Sequence, residues 1–404
     1  MRKRGIGGLG NQLWDEQTIE DTSRGLEGAA EVSRATTGIS MKSRLVVLVV
    51  LVVLVVLLGL PNFVIMARAS PTAANHSSFD SLSAESLMGS NQSMNSSCQD
   101  YPAAYFEELL ASIRSANEST ISSDSRSPSP LCVTDVVPLD KCRCLNPFIP
   151  TPQDPSKVRT WRDISKMNSN LIQNNYTSRH IQPDFVIYGD SITERLLGRF
   201  FGNYGPKMID YAHMTFQHMT KDGGAHINGL PLGISSDEIS HLLYRLQNGE
   251  LPFDLQPHSA WWILVGTNDL KAGCSVESIV AGNIRIVQEL QRHAEKRVTK
   301  AAVHVPIVIN SILPRGRQPL LLSRNSMWRM IHDINQQLEC YASITPHIFF
   351  ANVTGMFVQM QSGGNQPMVH PEMFIKDNLH PSVEGSRMWE DYMVAQVLSM
   401  AGSR

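Results

Sequence analysis

The stretch Asp184-Phe185-Val186-Ile187-Tyr188-Gly189-Asp190-Ser191-Ile192-Thr193-Glu194 changes character halfway along. Phe185 to Tyr188 is a short apolar run that reads as a strand, and Ser191 to Phe201 reads as a helix. Gly189 lets the chain turn sharply between them. Ser191 then falls at the helix N-terminus, where unpaired amides and the helix dipole favour negative charge. That is a useful place for a nucleophilic oxygen. Taken alone, the same residues also fit an ordinary cap in which Asp190 or Ser191 satisfies an amide.

The alternation continues outward. A shorter strand is expected near Met208 to Tyr211, and a helix over Asp237 to Gln247, whose stripe is Ile239, Leu242, Leu243 and Leu246 and whose stop is Asn248-Gly249. Trp261 to Val265 is a continuous apolar run. Helix is then predicted at Val276 to Ala294, strand at Val303 to Asn310, helix at Ser323 to Cys340, strand at Ile348 to Ala351 and helix at Val383 to Met400. Short strands separated by longer helices specify an α/β parallel sheet covered on both faces, with any site at the carboxyl ends of the strands.

Two further motifs sit at such positions. Gly266-Thr267-Asn268-Asp269 follows the Trp261 run, and an Asn there can donate its side-chain amide to a developing oxyanion, although Asn and Gly also dominate plain turns. Asp377-Asn378-Leu379-His380-Pro381-Ser382 precedes the last helix. A nucleophilic serine needs a base, and the imidazole needs a carboxylate to hold one tautomer; the three-residue spacing lets one loop supply both.

Ser191 first, Asn268 in the middle and Asp377-x-x-His380 last is an order that resembles the SGNH (GDSL-like) hydrolases over about residues 183–400. Within them, the chain is most similar to the α-subunit branch of platelet-activating-factor acetylhydrolases. The similar stretches are Gly233-Ile234-Ser235-Ser236-Asp237, Tyr244-Arg245-Leu246-Gln247-Asn248-Gly249-Glu250-Leu251, Val265-Gly266-Thr267-Asn268 and Leu313-Pro314-Arg315-Gly316. The resemblance implies a flavodoxin-like three-layer sandwich without a metal or other cofactor. It also implies Ser191 as nucleophile, His380 as base, Asp377 as orienting partner, and an oxyanion hole of the Ser191 and Gly233 amides with the Asn268 side chain. Gly233 has no side chain to keep its amide from a bound acyl group. One departure stands out: Ser235-Ser236 replaces a glycine pair common in relatives.

The remainder of the chain sets the context. A charged fraction of 18% and a net charge of -2 exclude a disordered polar chain and a nucleic-acid partner held by positive excess. Leu45 to Met66 is close to the roughly 20 apolar residues that span a bilayer, and Arg34, Lys42 and Arg44 precede it. The expected layout is a cytosolic tail (1–44), a transmembrane signal anchor (45–66), a serine-rich stalk (67–131), a cysteine-containing lead-in (132–181) and the hydrolase domain (182–404). The chain is thus read as a single-pass type II membrane protein with its domain lumenal or extracellular. A small-x-small site at Ala67-Arg68-Ala69 leaves cleavage as the alternative. All six cysteines (Cys98, Cys132, Cys142, Cys144, Cys274, Cys340) and all six Asn-x-Ser/Thr sequons (Asn75, Asn91, Asn95, Asn117, Asn175, Asn352) lie beyond the span, as an oxidising, glycosylating compartment requires. A short helix at Ala103 to Arg114 interrupts the stalk. Sequence leaves the cysteine pairing open.

Other candidates weigh less. Cys142-x-Cys144 lacks the second half of a zinc site, and His213, His218 and His226 lack a partnering carboxylate or cysteine at ligand spacing. Trp261-Trp262 reads as core, and His370 has no acid at the spacing that serves His380. The function these readings favour is hydrolysis of acyl esters, short-chain or acetyl, on lipids or glycans. The alternatives are a lumenal glycan O-acyltransferase using the same residues and a catalytically silent binding domain.

Overall fold

Period-two alternation divides the strand side chains between two cores. Phe185 and Ile187 join Trp262, Leu264 and Val308 on one face; Val186 and Tyr188 join Leu232, Trp261, Ile263 and Ile307 on the other. Helices cover both faces, giving three layers. The computed structural model describes residues 98–116, 131–133, 141–155, 160–177, 183–204, 227–252, 260–297, 305–315, 322, 326–360 and 366–402. The expected membrane span, the tail, the strand near Met208 to Tyr211, the sequons Asn75, Asn91, Asn95 and Asn117, and His213 and His218 with His226 lie outside these residues. Among the described residues no helix is long and apolar enough to cross a membrane.

In chain order the elements are α1 (Ala103–Ser115), α2 (Trp161–Thr177), β1 (Phe185–Gly189), α3 (Ser191–Leu196), β2 (Arg199–Phe200), β3 (Asn203–Tyr204), β4 (Gly229–Gly233), α4 (Ile239–Gln247), β5 (Ala260–Leu264) and α5 (Thr267–Ala272). They continue with α6 (Val276–Arg297), β6 (Ile307–Asn310), α7 (Ser326–Ile344), β7 (Ile348–Ala351), α8 (Thr354–Phe357), β8 (Val358–Met360), β9 (Pro367–Val369) and α9 (Val383–Gly402). The main sheet is parallel with order β4-β1-β5-β6-β7, the flavodoxin-like arrangement in which the strand order reverses beside β1. Ligands bind at that reversal, outside the strands' carboxyl ends.

Several expectations need correction. The helix after Gly189 ends at Leu196, because the chain reverses through Gly198 (φ 68°) into the β2–β3 hairpin, so Arg199 to Phe201 are not helical. The second strand of the sheet is β4, which sequence reading passes over. Its Pro231 and terminal glycines depress strand character, and they are accommodated because β4 is an edge. Nor does the sequence reading anticipate α2 and α5. Residues 103–115, placed in the stalk by the serine-rich surroundings, form α1 and belong to the domain core: Phe106, Leu109, Leu110 and Ile113 are buried, and Phe106 packs edge-on against Tyr341 of α7.

The six cysteines form Cys98–Cys340, Cys132–Cys142 and Cys144–Cys274. Both cysteines of the Cys142-x-Cys144 pair are therefore taken by disulfides. The lead-in is stitched to the end of α5 through Cys274, and α1 to α7 through Cys340. Trp261 and Trp262 are fully buried, and the Trp262 and Trp389 indoles both donate to Asn310 Oδ1 (3.0 and 2.9 Å), so they are packing residues.

Beneath the carboxyl ends of β1 and β4 lies a buried charged cluster. Arg245 pairs with Asp237 (Nε to Oδ2, 2.6 Å) and with Glu250, while its Nη2 donates to the Gly189 carbonyl (2.8 Å). Trp161 Nε1 and Gln153 Nε2 donate to Asp237 Oδ1 (2.7 and 2.8 Å). A buried charge is retained only when paired and hydrogen-bonded in this way. The cluster fixes where β1 and β4 end, and so where the site begins.

Candidate active site

Three loops at the carboxyl edge of the sheet meet here. Ser191 is the first residue of α3, and Asp190 caps that helix by accepting from the Ile192 amide (2.9 Å). Ser191 Oγ lies 2.8 Å from His380 Nε2, and His380 Nδ1 lies 2.6 Å from Asp377 Oδ2. The Asp377 loop is self-supporting. Its Oδ1 accepts the Leu379 and His380 amides (3.0 Å each), Asn378 takes a φ of 51°, and the Ile375 amide donates to the His380 carbonyl (2.9 Å). Ser191 and His380 are buried, whereas Asp377 keeps a partly exposed carboxylate. His370 takes no part in this relay.

The electrostatics suit proton transfer. Burial, then the positive charges of Arg195 and Arg315, hold the His380 pKa below its ordinary value against the pull of Asp377. The imidazole is thus neutral and able to accept a proton. Burial pushes the Asp377 pKa up, but hydrogen bonds from the His380 amide, the His380 ring and the Leu379 amide outweigh it and keep Asp377 an anion. Burial raises Asp190 to about 7, against the Ile192 amide and the Arg315 charge.

Asn268 is the second residue of α5, its Nδ2 donating to the Asp237 carbonyl (2.9 Å) and to Asp190 Oδ2 (3.4 Å). Gly233 ends β4 against α3. A methyl group added to it would come 2.3 Å from the Glu194 amide and 2.4 Å from the Asp190 carbonyl, so the glycine lets the first turn of α3 rest directly on β4. The residue of that loop facing open space is Ser236, at φ 66°, and among the described residues its amide donates to no protein acceptor. Ser236, Asn268, Phe201, Lys271, Arg143 and Leu145 line a cavity of about 490 Å³. The disulfide-held lead-in thus forms one wall of the cavity. No cluster of three metal-ligating side chains occurs among the described residues.

Sequence reasoning assigns no place at the site to Ser236, Glu194, Arg195 or Arg315. Arg315 is visible in the Leu313-Pro314-Arg315-Gly316 stretch; it ties the loop after β6 to the Thr267 carbonyl and to Thr267 Oγ1 (3.0 Å). Glu194 follows Ser191 by three residues, but nothing in its residue type announces its full burial.

The GDSL-like lipase/acylhydrolase family model matches residues 187–388, half of the 404-residue chain. The chain belongs to that family. This GDSL-like protein is a carboxylic ester hydrolase. No curated protein matches it. Among solved structures it is similar to a candidate platelet activating factor from Streptococcus pneumonia (18% identity, 61% of this chain and 100% of that one, TM-score 0.42). A candidate acylhydrolase from Bacteroides fragilis is comparable (17%, 61% and 99%, TM-score 0.41). A mutant of Axe2, an acetyl-xylooligosaccharide esterase from Geobacillus stearothermophilus, is more distant (16%, 53% and 93%, TM-score 0.36). At these scores the assignment rests on the family match.

Proposed function

We propose that this GDSL-like hydrolase is a membrane-anchored serine esterase that cleaves short-chain acyl esters of glycans or lipids through Ser191, His380 and Asp377. The observation that carries the reading is the continuous relay from Ser191 Oγ through His380 to Asp377, at 2.8 and 2.6 Å. Ser191 Oγ attacks the ester carbonyl as His380 Nε2 takes its proton, and the resulting oxyanion is held by preorganised donors. Collapse breaks the bond to the alcohol, which leaves with the proton from His380. Water then attacks the acyl-serine, giving a proton to the imidazole, and the acid departs as Ser191 recovers its hydrogen. We assign the oxyanion donors to the Ser191 amide, the Asn268 side chain and the Ser236 amide, preferring Ser236 to Gly233 because Ser236 faces the cavity.

Placement beyond a membrane is part of the proposal, with residues 45–66 as the anchor and 1–44 in the cytosol. Three disulfides using all six cysteines favour an oxidising side, and the sequon residue Asn352 is exposed. The test is hydrolysis of a p-nitrophenyl ester series by the full-length protein beside Ser191→Ala and His380→Ala. Loss of about 10⁴-fold or more in kcat for both variants is expected. Equal activity in wild type and Ser191→Ala would sink the assignment. A mobility shift on glycosidase treatment checks the placement.

A further inference from the structure

The β2–β3 hairpin is closed by two residues, Phe201 and Gly202, both at positive φ (50° and 77°). Such a turn suits Asn-Gly; a phenylalanine in its first position is strained. Strain of this kind persists only where the surroundings over-determine it, and it concentrates at functional sites. Here the surroundings are chiefly one carboxylate. Glu194, fully buried in α3, accepts the Gly202 amide (2.7 Å), the Phe201 amide (3.3 Å), the Ser235 amide (2.8 Å) and the Ser235 hydroxyl. From the opposite side, Thr160 Oγ1 donates to the Phe201 carbonyl (3.2 Å), and Ile164 fills the space where a Gly202 side chain would stand.

The strained turn directs two aromatic rings. Phe200 meets the His380 ring edge-on (6.2 Å, 89°), and the Arg195 guanidinium lies over the Phe200 ring (4.8 Å). Phe201 packs against Phe200 (4.6 Å) and lines the cavity with Asn268 and Ser236. We propose that Glu194 is a positioning residue for substrate selection: it locks the Phe201–Gly202 turn and the Ser235 loop together, so that Phe200 and Phe201 form a rigid wall from His380 to the cavity that excludes long acyl chains. Ser235 then has a purpose as the departure from the family's glycine pair, because its hydroxyl is a donor that glycine lacks. The proposal rests on Ser191 being the nucleophile.

The experiment compares full-length wild type, Ser191→Ala, Glu194→Gln, Phe201→Gly and Ser235→Gly on p-nitrophenyl acetate and octanoate. His380 imidazole titration, followed by NMR, is read in parallel. Glu194→Gln and Phe201→Gly should lower the acetate-to-octanoate ratio of kcat/KM about tenfold. Phe201→Gly should do so with an unchanged or raised Tm, since the turn is relieved; a residue with only a structural role would not show that split. In Glu194→Gln the His380 pKa should rise as the Phe200 cover loosens, Asp377, Arg195 and Arg315 being the charged groups that face the ring. Should Glu194→Gln fail to fold, Ser235→Gly and Phe201→Gly carry the same comparison. An unaltered ester ratio in the folded variants overturns the proposal. If Ser191→Ala matches wild type, the esterase reading fails instead, and the clamp then stands or falls on whether His380 titrates differently in Glu194→Gln.

Discussion

In the proposed mechanism His380 has to be neutral to take the Ser191 proton, and its surroundings make protonation harder than in water. Burial comes first and the Arg195 and Arg315 charges add to it. A base with a depressed pKa stays active to lower pH, so the acid limb of kcat/KM should fall below 6.5, the ordinary histidine value. Arg195→Gln should move that limb upward; a limb that does not respond would mean that burial alone sets it. These residues were legible because the chemistry restricts their type: only a few side chains can be nucleophile, base or orienter, and Ser191, His380 and Asp377 meet as expected. Ser236 and Glu194 were not legible. As proposed, the first would act through a backbone angle and an open amide, the second through four donors supplied by other segments, and neither leaves a mark in residue type.

At the scale of elements, α1 is a part of the domain that composition hid. Its apolar face, Phe106, Leu109, Leu110 and Ile113, has helical spacing, yet the serines around it drew the boundary further along at residue 131. Removing the Cys98–Cys340 bridge with a double Cys→Ser change should lower stability by about 2–5 kcal/mol, and Phe106→Ala by about 3–5 kcal/mol, measured by denaturant unfolding. A chain begun at residue 130 should be less stable still, with Cys340 unpaired and the α7 surface bare. Retention of full stability by that shortened chain would show that α1 is dispensable. The strands whose side chains alternate between two cores, β1, β5 and β6, were readable because burial on both faces forces apolar residues throughout. Edge strand β4 has fewer such demands, and its Gly-Leu-Pro-Leu-Gly sequence shows it.

For the whole molecule, the charge cluster sets a pH response. Two carboxylates share one guanidinium away from water, and burial lifts Asp237 to about 6 and Glu250 to about 7 despite Arg245. Asp190 moves the same way. Carboxyls raised in the folded state bind protons that the unfolded chain has already released. Stability should therefore decline as pH climbs from about 4.5 to about 7 and level off above. A higher Tm at pH 5.5 than at pH 8 is expected; the reverse order would mean that the cluster stays fully ionised in the folded state. The Cys98–Cys340 bridge also carries a consequence in time. Its cysteines lie 242 positions apart, and at about 5–20 residues per second a ribosome needs roughly 10–50 s between them. Throughout that interval Cys98 is a nascent thiol whose proper partner does not yet exist, while Cys132, Cys142 and Cys144 emerge beside it. The native bridge therefore cannot close until the last cysteine has arrived, and any earlier pairing of Cys98 has to be exchanged.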